Sequence, residues 1–353
     1  MSRIDAVWSE QGTTPDKIEA ALRKLLIDVH NEHSDFAPAR VLNMIAFVDR
    51  EWSGEIANRL RGVGRYHASR MVVLSYEPNR ERLDARVMIA ADDDPAPGEL
   101  ALLRETVVVE LGDRHMDDLL TIADPLVVTD LPTLLWSPHG HHEIVSELMP
   151  LAQAVLLDSV VEPDARDAVD RAHELTGKAY VVDLAWLRST PWRERVAAMF
   201  DPSPMRRELR NLSSVTVRHH AASTAAATLL VGWLSSRLQW QLGPLAGDGD
   251  GLRGTATAGS QPIAVELVTA PELQVPGLAG LTVETAAGLS LSLDRGPGGL
   301  RARLRRNGEE PREWTIPGAS RGETGVLGEG IRQALLRDPT YVPALEAARA
   351  MLR

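Results

Sequence analysis

The stretch "RVLNMIAFV" (residues 40–48), followed at once by "DREWSGEIANRLRG" (49–62), decides the fold. Its eight residues after Arg40 carry no charge and are mostly large and apolar, the composition of a short strand covered on both faces. The charged segment behind it has helical character. A buried strand that runs into a helix is the repeating unit of a layered α/β domain.

The same alternation extends outward in both directions. Upstream, Ile18, Leu22, Leu25, Leu26 and Val29 recur at helical spacing behind Thr14 as N-cap and Pro15 at the first helical position. Downstream, "RMVVLSY" (70–76), "ARVMIAA" (85–91) and "TVVVEL" (106–111) read as strands separated by the turn-formers "EPNRER" and "DDDPAPGE". Helical character returns over Asp113–Ala123 and Glu143–Ala152, around an extended "PTLLW" (132–136), before a strand at "AVLLDS" (154–159). The expectation is an N-terminal layered α/β domain with a mixed sheet over residues 1–162.

Over 163–353 the pattern predicts an α+β domain. It begins with the helix "DARDAVDRAHELTG" (164–177), then "AYVVDL", a helix from Pro191 capped by Thr190, and a strand "SVTVRHH" (214–220). A long helix capped by Ser223 follows. Residues 243–262 are Gly- and Ala-rich without periodicity and read as a long loop. Short alternating runs from Ile263 to Arg306 predict an antiparallel meander, and a helical tail follows from about Gly330.

Composition narrows the function classes. At 353 residues two domains are expected, and a net charge of −11 gives no general attraction for nucleic acid or anionic membranes. No apolar run reaches bilayer length, and the first residues lack a basic patch followed by a secretory apolar core, so a cytoplasmic location is expected. The chain has no cysteine, which excludes disulfides, thiolate nucleophiles and any thiol switch of its own. Eight tryptophans against three phenylalanines suit a core or a docking surface.

Candidate chemistry is sparse. His139, His141 and His142, with Glu143, could ligate a metal, but "HGHHE" lacks the i, i+4 spacing that puts two imidazoles on one helix face, so no metal is expected. "RGVGRYH" (61–67) has two glycines at the wrong spacing and follows a helix, so it is no dinucleotide loop. His67, Ser69 and Arg70 form a polar trio at a strand entrance that could hold an anion, and Arg301, Arg303 and Arg305 share one face of a strand. These carry the competing reading, a sugar-phosphate-binding enzyme or sensor. No catalytic residue and no cofactor are expected.

Several apolar blocks carry a resemblance. "VVTDLPTLLWSP" (127–138), "LLDSV" (156–160), "DLAWLRSTPWRERVAAMFD" (183–201) and "AATLLVGWLSSRLQW" (226–240) resemble, in this order, the glucose-6-phosphate dehydrogenase assembly protein (OpcA) family. "RVLNMIAFV" and "RYHASR" are similar to its earlier strands, so the resemblance spans roughly residues 40–300. It implies a bacterial cytoplasmic protein, not itself an enzyme, that binds glucose-6-phosphate dehydrogenase and promotes its assembly and activity. That partner uses NADP and opens the oxidative pentose phosphate pathway. Position by position, the family blocks fall on Asp130, Leu131, Pro132 and Trp136, and on Asp183, Trp186, Thr190, Pro191, Trp192 and Arg193. From these, Asp130, Pro132, Trp136, Trp186, Trp192 and Arg193 are the candidate partner-binding residues. Trp192 and Arg193 are expected side by side at a surface in the first turn of a helix. Relatives linked to thiol control differ from this cysteine-free chain.

Overall fold

Leu42–Asp49 forms the strand from which the first sheet is counted outward. The computed structural model describes residues 4–32, 36–37, 40–64, 69–91, 101–249, 251–317 and 322–353. They divide into two compact units, one of 1–157, 178–182 and 323–336, the other of 158–177, 183–322 and 337–353.

The sheet of the first unit has eight strands. Their order is Ile4–Glu10, Asp84–Ala91, Arg104–Leu111, Ser69–Tyr76, Leu42–Asp49, Thr133–Trp136, Ala154–Leu157 and Tyr180–Asp183. From Arg104–Leu111 through Ala154–Leu157 every pairing is parallel. Counted along the chain, these five parallel strands lie in the order 3-2-1-4-5, the doubly wound arrangement. Asp84–Ala91 and Ile4–Glu10 extend it antiparallel, which makes the sheet mixed, as the alternating pattern predicts. The strand Ile4–Glu10 is not legible in the sequence, because its polar residues hide its alternation.

Burial follows from this topology. Leu42–Val48 and Ser69–Ser75 are buried at every position, since helices cover both faces of central parallel strands. Asp84–Ala91 instead alternates, burying Ala85, Val87, Ile89 and Ala91. The helix Pro15–Glu32 buries Ile18, Leu22 and Val29.

The second unit carries a nine-stranded sheet. Along it lie Gln241–Leu242, Gly251–Ala258, Gln261–Thr269, Leu212–His219, Leu278–Thr285, Ser290–Gly296, Gly299–Arg305 and Arg312–Pro317, with Ala246–Asp248 paired to Gly251–Ala258. From Leu278 to Pro317 it is an antiparallel meander, whereas Leu212–His219 and Gln261–Thr269 pair parallel. The expected loop 243–262 is corrected here, since it contains two strands and the start of a third. Three of its glycines, Gly243, Gly251 and Gly254, serve close packing of backbone. A side chain on Gly251 would place its Cβ 2.2 Å from the Leu267 carbonyl oxygen, so the neighbouring strand admits only glycine there.

The helix Thr224–Leu238 is buried nearly all round, with Leu229, Leu230 and Val231 fully enclosed. It packs against the C-terminal helix Tyr341–Met351 at backbone distance. A Cβ on Gly232 would stand 2.2 Å from the Ala344 carbonyl oxygen. Alanine stabilises an isolated helix by about 1 kcal/mol over glycine, but here it must push the two helices apart. Gly232→Ala is therefore expected to destabilise the protein by about 2 kcal/mol or more in chemical denaturation. A neutral or stabilised variant would show that the approach is not tight.

Candidate functional site

In a doubly wound sheet the crevice for a ligand opens at the carboxyl ends of the strands, where the strand order reverses. That point lies between Leu42–Asp49 and Thr133–Trp136. Strand Leu42–Asp49 passes directly into the helix Arg50–Gly64, leaving no glycine loop between them to receive a pyrophosphate. Gly62 and Gly64 fall within that helix.

The crevice carries acids and rings instead. Asp49 Oδ1 lies 2.9 Å from His141 Nε2, and the His141 ring meets Phe47 edge-on at 5.0 Å and Tyr76 at 6.2 Å. Tyr76 donates its hydroxyl hydrogen to Asp113 Oδ1 at 2.5 Å, and Asn79 N–H bonds the other oxygen of Asp113 at 2.8 Å. The Tyr76 bond holds the Asp113 carboxyl below its usual range and raises the tyrosine. Arg50 pairs with Glu110 at 2.5 Å, while Arg80 bridges Glu77, Asp84 and Glu110. Five carboxylates thus stand against two arginines. A dinucleotide phosphate would meet net negative charge.

His139, His141 and His142 take separate tasks. His141 adopts a left-handed backbone, φ 53°, at the cap of the helix His142–Leu148, where Asp49 fixes its ring. His139 meets the Trp52 ring at a tilt of 45°, centroids 5.7 Å apart, and burial lowers its pKa. His142 opens the helix. Among the described residues no three His, Asp or Glu side chains converge as a metal site. Trp52 is 43% exposed at this rim, which makes it a large accessible aromatic that the sequence could not single out among eight.

The "VTDLPT" block lies at the opposite end of the strands and is held by a buried amide. Asn43 Nδ2 donates to the Val128 carbonyl at 2.9 Å and the Leu131 carbonyl at 3.3 Å, while Val128 N–H donates to Asn43 Oδ1 at 2.9 Å. Asp130 and Pro132 remain exposed, whereas Trp136 is buried. Of the expected anion trio, His67 lies outside the described residues. Arg70 donates to Glu105 at 2.8 Å and to the Leu126 carbonyl at 3.3 Å, and Arg40 also pairs with Glu105. Its guanidinium is committed to the fold. Arg301 and Arg305 share their face with Arg303, whose charge meets Glu313 at 2.6 Å.

In the second unit the expected surface pair is corrected. Trp192 and Arg193 are buried, as is Trp186, because Arg193 turns inward. Its guanidinium lies 3.5 Å from the Trp186 ring centroid and donates to Thr190 Oγ1 at 2.9 Å and to the Trp186 carbonyl at 3.2 Å. Trp186 Nε1 donates to Asp338 at 2.9 Å. Ser189, not Thr190, is the N-cap, and a separate short helix, Leu184–Arg188, precedes it. Burial lowers the Arg193 pKa to about 10, still charged at neutral pH.

Asp183, fully buried, caps that short helix. Its Oδ1 accepts from Ala185 N–H at 2.9 Å and Ser159 N–H at 3.1 Å, and its Oδ2 accepts from the Ser159 hydroxyl at 2.5 Å and the Tyr341 hydroxyl at 3.3 Å. Burial raises its pKa to about 6 despite these donors. The family blocks therefore mark, in large part, structural residues.

The two units define a doubly wound α/β unit joined in sequence to an α+β unit. Residues 61–174 match the family model described as the glucose-6-phosphate dehydrogenase subunit N-terminal domain, and residues 179–345 match the corresponding C-terminal domain. The chain belongs to this family, the OpcA family.

Among similar curated proteins, one from Synechocystis sp., named "Putative OxPP cycle protein OpcA", is 28% identical over 33% of this chain and 25% of its own length. A protein of the same name from Nostoc punctiforme is 31% identical over 33% of this chain and 26% of its own. The matched segments thus span about a quarter of those relatives. Among solved structures, the transcriptional regulator Gal80p from Kluyveromyces lactis has a TM-score of 0.48 at 10% identity, covering 88% of each chain. The Bacillus subtilis protein described as "putative oxidoreductase yvaA" has the same score and identity, over 89% of this chain and 95% of its own.

Two measurements test the buried polar cluster. Arg193→Ala removes a stacked, hydrogen-bonded cation, and the expected loss is about 3 kcal/mol of stability, seen in denaturant unfolding. Unchanged stability would return Arg193 to the surface. Because the folded-state pKa of Asp183 lies above the usual carboxylate value, its stabilising contribution is complete below about pH 3.8. That contribution, roughly 3 kcal/mol, is lost as pH rises through about 6. Asp183→Asn should therefore gain stability relative to the parent between pH 4.5 and 7. A constant difference across that range would contradict the assignment.

Proposed function

We propose that this chain is a non-enzymatic partner of glucose-6-phosphate dehydrogenase that binds the enzyme and shifts it toward its active assembly, as an allosteric activator in bacterial cytoplasm. The observation that carries the non-enzymatic reading is the crevice at the strand-order reversal, which has the position of a nucleotide site but holds Asp49, Glu77, Glu110 and Asp113 in place of a glycine loop. The chain then needs no cofactor of its own. Family membership supports glucose-6-phosphate dehydrogenase as the partner. An activator of this kind works by binding one state of its client more tightly than another, which requires surface and no reacting group.

The docking face we infer is the crevice rim. Trp52 is an exposed aromatic anchor there, in the helix that starts directly after Asp49, on a crevice that also holds Asp113, the composition that concentrates binding energy and attracts a basic partner surface. Among the residues carried over from the family blocks, Asp130 and Pro132 are exposed and form a second accessible edge. The sugar-phosphate reading is weaker, since Arg70 is already bonded to Glu105. With no cysteine in this chain, a thiol response of the pair would reside in the enzyme. No described helix is long and apolar enough to cross a membrane.

Mixing the protein with its cognate dehydrogenase should give a complex by mass measurement together with a lower KM, a higher kcat or a changed oligomeric state. Trp52→Ala should keep the parent melting temperature and weaken activation at least fivefold. Absence of both complex and activation would refute the partner reading. Full activation by Trp52→Ala would move the docking face elsewhere.

A further inference from the structure

Among the described residues, the helices of the second unit cover one face only of its sheet. Val215, Val217, Val265 and Leu267 are buried on the side of the helix Thr224–Leu238, which packs against both of their strands. The residues that alternate with them face the other way. Their side chains stay accessible, Arg253 at 59% and Arg303 at 56% near opposite edges of the sheet.

Strand register orders this open face into rows. One row begins with Arg253 and Glu266, passes over Thr216, Thr282 and Ser292, and ends on Arg303 and Glu313. It takes one residue from each of seven adjacent strands. At its two ends Arg253 pairs with Glu266 at 3.3 Å and Arg303 with Glu313 at 2.6 Å. In the next row Arg218, Gly280 and Asp294 are neighbours, and Arg218 reaches across the glycine to bond Asp294.

The charges on this face balance. Among the described residues Arg218, Arg253, Arg301, Arg303 and Arg305 stand against Glu266, Glu284, Asp294 and Glu313, and Glu272 from an adjoining turn lies 3.6 Å from Arg218. A neutral face on a chain of net charge −11 selects neither a basic nor an acidic surface as a whole. The order of its charges selects a partner instead.

The seven-strand row is centred on Thr282. A second copy turned by half a revolution about an axis along the strand Leu278–Thr285 comes face to face with the first. Glu266 then stands opposite Arg303 of the copy, Thr216 opposite Ser292, and Arg253 opposite Glu313. The next row obeys the same axis, since Arg218 comes opposite Asp294. An axis across the strands would set every residue of the row against its own kind, arginine on arginine and glutamate on glutamate, which is unfavourable. Two-fold contacts are self-complementary in this sense.

Shape and size agree with the charge order. Thr216, Thr282 and Ser292 are short and Gly280 has no side chain, so two such sheets can close to about 10 Å. At a strand spacing of about 4.8 Å and a rise of about 3.3 Å per residue, the face measures about 30 Å by 20 Å. With the relief of its side chains this approaches the ~800 Å² that each partner contributes to a standard interface. Aligned sheets cross at about 30°, so the pairs nearest the axis, Glu266 with Arg303 and Arg218 with Asp294, are those the crossing preserves. Glu284 lies on the axis, bonded by Ser214 at 3.0 Å, and meets its own counterpart as a like charge.

We infer that the open face of this sheet is a two-fold interface with a second copy of this chain, its axis along Leu278–Thr285 and its specificity set by Glu266 against Arg303 of the copy. The inference does not rest on the dehydrogenase reading, whose proposed docking face belongs to the first unit.

Sedimentation velocity of the full chain alone tests it. A concentration-dependent dimer is expected, weakened at least fivefold from about 0.05 to about 0.5 M NaCl. Glu266→Arg and Arg303→Glu should each weaken the dimer at least tenfold and leave the melting temperature unchanged. An equimolar mixture of the two variants should dimerise as the parent does, because the reversed positions then face each other and the unreversed ones do likewise. Thr282→Arg opposes two cations on the axis without touching either ion pair and should give the same loss, whereas Glu284→Gln removes the like-charged contact and should tighten the dimer. A chain that stays monomeric at high micromolar concentration, parental dimerisation of Glu266→Arg and Thr282→Arg, or a mixture whose two variants stay apart would overturn the inference. Dehydrogenase bound to a monomer through these same residues would make the enzyme the occupant and overturn it too. Activation of the dehydrogenase, measured separately, reports on the docking reading.

Discussion

The side-chain amide of Asn43 is the contact on which the first unit depends. A doubly wound sheet requires the chain to leave one side of its first strand and return on the other, and the returning segment, Val127–Pro132, has no ladder of its own. Its turn pairs Leu131 N–H with the Val128 carbonyl, and its Pro132 carbonyl accepts from Asn43 N–H, which leaves Val128 N–H and the Leu131 carbonyl to a side chain, at about 1–3 kcal/mol for each such group buried unpaired. Asn43 both accepts from Val128 and donates to Val128 and Leu131, so one residue inside an aliphatic strand completes the segment. A carboxamide carries two N–H donors beside its acceptor oxygen without charge, one donor more than a hydroxyl has. This explains why "DLPTLLW" is a recognisable block although most of it is buried.

The consequences reach the opposite end of the same strand. By fixing where Thr133–Trp136 pairs, the amide also fixes where the following turn places His139 and His141 relative to Asp49. The geometry of a nucleotide crevice is retained there while its chemistry is inverted. Aromatic rings and carboxylates occupy the space that backbone N–H groups and glycines would need, so position in the fold and chemical capability have separated.

Legibility in the sequence followed burial. The central strands 42–49, 69–76 and 104–111 were readable because continuous or alternating apolar residues record two covered faces or one. Ile4–Glu10 and Arg312–Pro317 were not, since edge strands bury little and their residues can be polar. The strands within 243–262 were hidden by glycines, of which Gly243, Gly251 and Gly254 serve a close backbone approach that depends on a neighbour ten or more residues away in sequence. At the site, the motif residues were found but their orientation was not. Arg193 looks like a surface anchor in a linear reading. Only the fold brings Asp338, 145 residues later, within 3.7 Å of it. Conversely, nothing local distinguishes Trp52, which stays outside, from Trp186, which does not.

The interleaving of the two units in the chain has a consequence for biosynthesis. The first unit draws strand residues from 178–182 and a helix from 323–336, and the second recruits 158–177. As the chain leaves the ribosome, the Ala154–Leu157 edge gains its neighbour early, but the last helix of that unit is made only after nearly all of the second unit has been translated. At elongation rates of about 5–20 residues per second the wait is on the order of ten seconds. For that interval the nascent first unit lacks part of its own cover and is exposed to chaperones and proteases. A split of the coding sequence near residue 160 would leave neither product with a full set of elements, so the two units are inherited, and folded, as one.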